Sequence, residues 1–89
     1  MMSDESERVV DYRGTSIVKS EMDVLTEFEK DVGEIPIVSS IKEYRFGVMI
    51  LDNHVRALGL YNKRLTSLPD SIGRLSLVIG IDLRRNQLT

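Results

Sequence analysis

Val55-Arg-Ala-Leu58-Gly-Leu60-Tyr-Asn-Lys-Arg-Leu65 and Val78-Ile-Gly-Ile81-Asp-Leu83-Arg-Arg-Asn86-Gln-Leu88 are two copies of one pattern. Val55 and Val78, Leu58 and Ile81, Leu60 and Leu83, and Leu65 and Leu88 each lie 23 residues apart. Between the copies, Leu68-Pro69-Asp-Ser-Ile72-Gly73-Arg-Leu75 completes the first unit. A fixed period of this length predicts a solenoid, in which each unit buries its apolar face only against its neighbours. Solenoids work by presenting a surface, so the period points to binding and away from catalysis.

Within each unit, Leu58/Leu60 and Ile81/Leu83 alternate at period two, which turns them to one face of a strand. In a solenoid that face is the interior, with Leu65, Leu68, Ile72 and Leu75 lining the return path. Pro69 suits the first position of a short helical turn, where its missing N–H costs nothing, and Gly73 suits close packing. Upstream, residues 46–51 and 54–60 read as two strands around Asp52-Asn53, a hairpin signal because both residues tolerate positive φ. Ile37-Val38 begins a further extended run through Ile41 and Tyr44.

A helix is predicted over 21–32. Ser20 stands as N-cap with Asp23 three residues on, and Met22, Leu25, Phe28 and Val32 form one stripe. Glu21 and Asp23 favour the helix dipole at its first turn. Gly33 and Pro36 end it. Val9-Val10-Asp-Tyr12 and Ile17-Val18, around Gly14, suit a small hairpin. Residues 1–7 are polar and charged, as a disordered tail would be.

Ile81-Asp-Leu83-Arg-Arg-Asn86-Gln-Leu88, with Leu68-Pro69 and Ile72-Gly73-Arg-Leu75, resembles the 23-residue intracellular leucine-rich repeat of the Ras-group or disease-resistance type. The resemblance covers 55–89, and residues 9–54 resemble the non-repeat cap of some prokaryotic, archaeal members. It implies an α+β unit: an N-terminal helix and β-hairpin cap over 8–54, a first repeat over 55–77 and a partial second over 78–89. It also implies that Asn86 bonds backbone groups of neighbouring turns. The first copy departs from the pattern, with Lys63 at that position and Asn62 one place earlier. A lysine side chain accepts no hydrogen bond, so an asparagine ladder is expected to begin only at the second copy. The sequence stops before the return path of the second copy, which predicts an open edge strand. The chain is therefore expected to be the N-terminal piece of a longer protein or a truncated reading frame.

Bulk properties narrow the function. At 89 residues the chain is one domain, with a net charge of −2 and no cysteine. There is no global basic field for nucleic acid or membrane, no thiolate site, no secretory leader and no apolar run of membrane-spanning length. An intracellular, cytoplasmic protein is expected. No phosphate loop, catalytic carboxylate pair or metal-binding motif occurs, so neither an enzyme nor a cofactor or metal is expected.

The resemblance puts the variable strand positions on a concave, partner-facing surface: Arg56, Ala57, Gly59, Tyr61 and Asn62, then Ile79, Gly80, Asp82, Arg84 and Arg85. Tyr61, Asn62, Asp82, Arg84 and Arg85 form the expected protein-binding face, since tyrosine and arginine are enriched at hot spots. The plainer alternative is that these charges keep the strands soluble. Lys63-Arg64 and Arg84-Arg85 are spaced to stack into a basic strip, diluted by Asp70 and Asp82. His54, the sole histidine, reads as a turn residue. Three functions compete: a leucine-rich-repeat interaction module, a structural cap of a longer scaffold, and self-association through the edge strand. A scaffold for a small GTPase follows only from analogy of fold.

Overall fold

A computed structural model describes residues 8–40 and 46–88. The expected tail over 1–7 and the extended run expected through Ile41 and Tyr44 lie outside these residues. Strands β1 (Val9–Tyr12) and β2 (Thr15–Val18) form one antiparallel sheet, and helix α1 (Lys19–Val32) follows directly. Strands β3 (Phe46–Leu51), β4 (His54–Leu60) and β5 (Gly80–Asp82) form a second sheet in that order. A short 3-10 helix, Asp70–Arg74, lies on the connection from β4 to β5.

Both hairpins turn through residues with positive φ, the geometry that matches strand twist. Arg13 and Gly14 take φ of 48° and 92°, and Asp52 and Asn53 take 53° and 72°. The helix begins two residues before its expected start. Ser20 lies inside its first turn, and Val18 occupies the cap position with no side-chain hydrogen bond. Backbone supplies the caps instead: Lys19 N–H donates to the Arg8 carbonyl at 2.7 Å, and Val18 N–H donates to the Asn53 carbonyl at 2.8 Å. Asp23 pairs with Lys19 Nζ at 3.1 Å. At the other end Gly33 N–H donates to the Glu29 carbonyl.

The buried face of α1 carries Val24, Leu25, Phe28 and Glu21. The expected stripe is thus rotated about its own centre: Leu25 and Phe28 lie in the core, and Met22 and Val32 flank it, half-buried. This face packs with Ile17, Val48, Val55, Leu58 and Leu60. Val55 and Leu58 share the interior although their spacing is odd. The register explains it, because Met49 pairs with Ala57 but Ile50 pairs with Val55. Arg56 is the extra residue of a β-bulge, and it reverses the in–out alternation of β4.

On the far side of β3, Val38 N–H donates to the Val48 carbonyl and Val48 N–H to the Pro36 carbonyl. A Cβ on Gly47 would sit 3.0 Å from Val38 Cγ1 and 3.3 Å from the Pro36 carbonyl oxygen, so this approach needs glycine.

The two copies of the pattern meet at their expected register. Ala57, Leu58 and Gly59 of β4 pair in parallel with Gly80, Ile81 and Asp82 of β5. Backbone conformation repeats too, with φ of 56° at Asn62 and 62° at Arg85. Asn86 staples the copies together. Its Nδ2 donates to the Leu60 carbonyl at 2.7 Å and the Leu83 carbonyl at 2.9 Å. Its Oδ1 accepts from Lys63 N–H at 2.9 Å and Leu65 N–H at 3.0 Å. Gln87 N–H donates to the Leu65 carbonyl as well.

These contacts do not build the expected solenoid. The α+β class stands, but as one helix and two small sheets without the curl of a stacked array. The physical reason lies in β4. Its second edge is taken by antiparallel β3, and its inner face is covered by α1, so nothing repeats outward from it. Leu58, Leu60, Leu65 and Leu75 are buried, whereas Leu68, Ile72 and Leu83 are only partly so. Ile81 and Leu88, expected inside, are exposed. Pro69 caps the 3-10 helix rather than opening it, and its carbonyl accepts from Ile72 N–H. Lys63 carries no ladder: its ammonium lies 3.9 Å from the centre of the Phe46 ring.

Replacing Asn86 with alanine removes these four hydrogen bonds and a longer fifth, from Nδ2 to the Arg84 carbonyl at 3.4 Å, and strands partly buried backbone groups. The expected loss is about 2–4 kcal/mol in urea denaturation, from roughly 1 kcal/mol per bond and the added penalty of unpaired groups. A loss below about 1 kcal/mol would show that the staple is ornamental.

Candidate functional site

The second sheet has a core side and an open side. Val48, Leu58 and Leu60 face α1. Side chains of the other parity form two cross-strand rows on the open side: Met49, Ala57 and Gly80, then Gly47, Gly59 and Asp82. Val38 lies over Gly47, whereas Ala57 and Gly80 leave the part of this face nearer β5 without bulk. A groove of about 530 Å³ results, lined by Ser40, Met49, Ala57, Ile79, Gly80, Ile81 and Asp82. That volume falls within the range of sites that receive a ligand or an anchoring side chain. Ile79 stands at its edge, 76% exposed.

Of the residues expected to bind a partner, three come together beside this groove. Arg84 lies over the Tyr61 ring at 5.7 Å. It also grips Asp82 with two bonds, Nε to Oδ1 at 2.9 Å and Nη2 to Oδ2 at 3.0 Å. The partly buried Asp82 carboxylate is thereby paired with an arginine of its own chain. Asn62 joins this group through its backbone, its N–H donating to the Arg84 carbonyl at 3.0 Å. Asn62 and Arg85 are exposed at the turns that close the two copies, and their left-handed backbones give both a conformational role. Arg64, with φ of 61°, lies in the first of those turns. Met49 and Ser40 escaped sequence reasoning. The alternation along β3 was the available signal for Met49, since it sets that residue opposite Ala57. Nothing in the sequence marks Ser40.

Two carboxylate clusters lie elsewhere. Glu21, expected to serve the helix dipole, is 2% exposed. Its Oε1 accepts Val55 N–H at 2.7 Å, and its Oε2 meets His54 Nδ1 at 2.7 Å. His54 is therefore more than a turn residue, because it closes a bond between helix and sheet. Glu29 binds three donors through one oxygen: Tyr12 Oη at 2.8 Å, Arg13 Nη1 at 2.9 Å and Ile35 N–H at 2.9 Å. Arg13 also donates to the Ile35 carbonyl and stacks on the Tyr12 ring at 4.2 Å. Both clusters tie separate pieces of chain together, Glu21 through both its oxygens and Glu29 through one.

The second cluster titrates abnormally. Burial, reinforced by the Glu29 carboxylate, pushes the Tyr12 phenol up to about 12, with Arg13 opposing. Burial opposes ionisation of Glu29, yet the Ile35 N–H, the Tyr12 hydroxyl and Arg13 together hold its carboxyl below the usual range.

Among the described residues no three His, Cys, Asp or Glu side chains gather as a metal site would need, and no helix is long and apolar enough to cross a membrane. Comparison with known family patterns, with curated proteins and with solved structures finds no match.

The signs of the two shifts give a test. A carboxyl lowered in the folded chain contributes stability above its unfolded value, near pH 4, which is lost as pH falls through the folded value. Glu29→Gln should therefore be less stable than the parent at neutral pH and lose less stability on acidification. A tyrosine raised in the folded chain costs stability once pH rises above its unfolded value, near pH 10. Absorbance titration should show one of the three tyrosines ionising last, and Tyr12→Phe should remove that late step. Parallel acid curves for Glu29→Gln and parent, or a late step surviving in Tyr12→Phe, would contradict the geometry.

Proposed function

We propose that this chain is a protein-interaction module that binds through the open face of the β3–β4–β5 sheet. The observation that carries this reading is the groove between Met49 and Ile79, an apolar concavity beside a tyrosine–arginine pair. Ile79 and Ile81, both exposed, join Met49 and Ala57 in one apolar concavity, and contiguous apolar patches mark interaction sites; aromatic and arginine anchors beside a pocket are the composition of binding hot spots. α1 backs the β3–β4 part of the sheet, so that part of the face is ordered before a partner arrives.

A photo-crosslinking side chain at position 79 tests this, with position 9 as control. Val9 is also an exposed aliphatic residue, but it lies on the other sheet. Discrete protein adducts are expected from position 79 and not from position 9. Ile79→Asp should weaken capture of the same protein by roughly tenfold or more, as loss of an anchor does, with no loss of thermal stability. Identical adducts from both positions would remove the sheet face from consideration.

A further inference from the structure

We propose that the partner of this face is an extended segment that adds as a strand beside β5 and carries acidic residues beyond its apolar stretch; this rests on the open-face reading above. Three observations converge on β5. It is the outer strand of its sheet, with β4 on one side and no strand on the other among the described residues. Its free edge therefore offers backbone donors and acceptors to a new strand. Its flanking residue Ile79 and the floor residue Gly80 line the groove, so a strand lying at the usual spacing, about 4.8 Å away, drops alternate side chains over that apolar surface.

Charge selects the residues beyond the apolar stretch. Residues 55–88 carry Arg56, Lys63, Arg64, Arg74, Arg84 and Arg85 against Asp70 and Asp82. Asp82 is already neutralised by Arg84. Arg64 and Arg85, both exposed, stand in the turns beyond β4 and β5; Asp31 of α1 lines one hollow with Lys63 and Arg64, and the two arginines still outnumber it. A segment running along β5 and past its end enters this basic ground, so acidic residues are favoured there and basic ones are repelled. A second copy adding through its own β5 does not supply the acid, because that strand is followed by Leu83 and then by Arg84 and Arg85. Nucleic acid fits less well, since the groove is aliphatic and its neighbouring aromatic, Tyr61, already lies under Arg84.

Synthetic peptides test the inference by fluorescence anisotropy with the whole chain. The probes alternate valine and threonine and end in a run of glutamates, placed at either terminus to cover both strand directions. One of the two should bind, and its affinity should fall with added salt. Arg64→Glu with Arg85→Glu should weaken it roughly tenfold or more, and N-methylation of alternate peptide nitrogens should abolish it. Equal binding of a lysine-ended peptide, or indifference to N-methylation, overturns the proposal. So does tighter binding of a single-stranded oligonucleotide. A chain that doubles in mass by light scattering and binds neither peptide overturns it in favour of self-association. Crosslinks at position 79 without binding of either glutamate peptide sink strand addition and leave the open-face reading intact; absence of both sinks the two together.

Discussion

One carboxamide holds the second copy of the repeated pattern onto the first. The parallel ladder between β4 and β5 is only three residue pairs long. Such a ladder, at the edge of a sheet and at the end of a long connection, does not pin its own register. Asn86 does so by filling both its donors and its acceptor with backbone from 60 to 65 and from 83. The outer part of the open face depends on it: Ile79, Gly80, Asp82 and Arg84 all ride on the segment that this side chain secures.

The other half of the molecule is organised by carboxylates on α1. Glu21 and Glu29 lie two turns apart, and each reaches across to a different piece of chain. Glu21 takes an N–H from the start of β4, and Glu29 ties the first hairpin to the segment after the helix. A buried carboxylate is costly unless its lone pairs are filled. Here each is filled by groups that would otherwise lie unpaired, including the Val55 and Ile35 backbone N–H groups. The helix thus carries its polar anchors at two levels, with Val24, Leu25 and Phe28 sealing the space between helix and sheet.

The 23-residue register was legible in the sequence because it is written in both side chains and backbone: Leu58 opposes Ile81, and Asn62 and Arg85 share a left-handed conformation. The hairpin around Asp52-Asn53 was legible for a similar local reason. What covers the sheet was not. A periodic pattern states which residues want burial but not whether a further repeat or a helix will bury them, and here α1 and β3 do so. The buried face of the helix lies to one side of the apolar stripe because its inward residue, Glu21, is charged and carries no apolar signal. The groove is a product of small or missing side chains at Ala57 and Gly80, and such absences leave little trace in a hydrophobic pattern. The bulge at Arg56, which reverses the alternation of β4, hides the parity further.

The placement of β5 also sets an order of events in time. The hairpin β3–β4 closes through two residues, a local contact that forms early and cheaply. β5 must return across the connection 61–79 before its few bonds to β4 can form, and loop closure over that length precedes any reward. The reverse path is correspondingly easy. With only a three-pair ladder and a few bonds to hold it, segment 79–88 is expected to be the part of the sheet whose amides exchange through local opening rather than global unfolding. Its opening frees the Ile79 and Gln87 N–H groups while α1 and β3–β4 stay formed. A segment that detaches on its own is one that a bound strand would hold down, so occupancy of this edge and the lifetime of the second copy are thermodynamically linked.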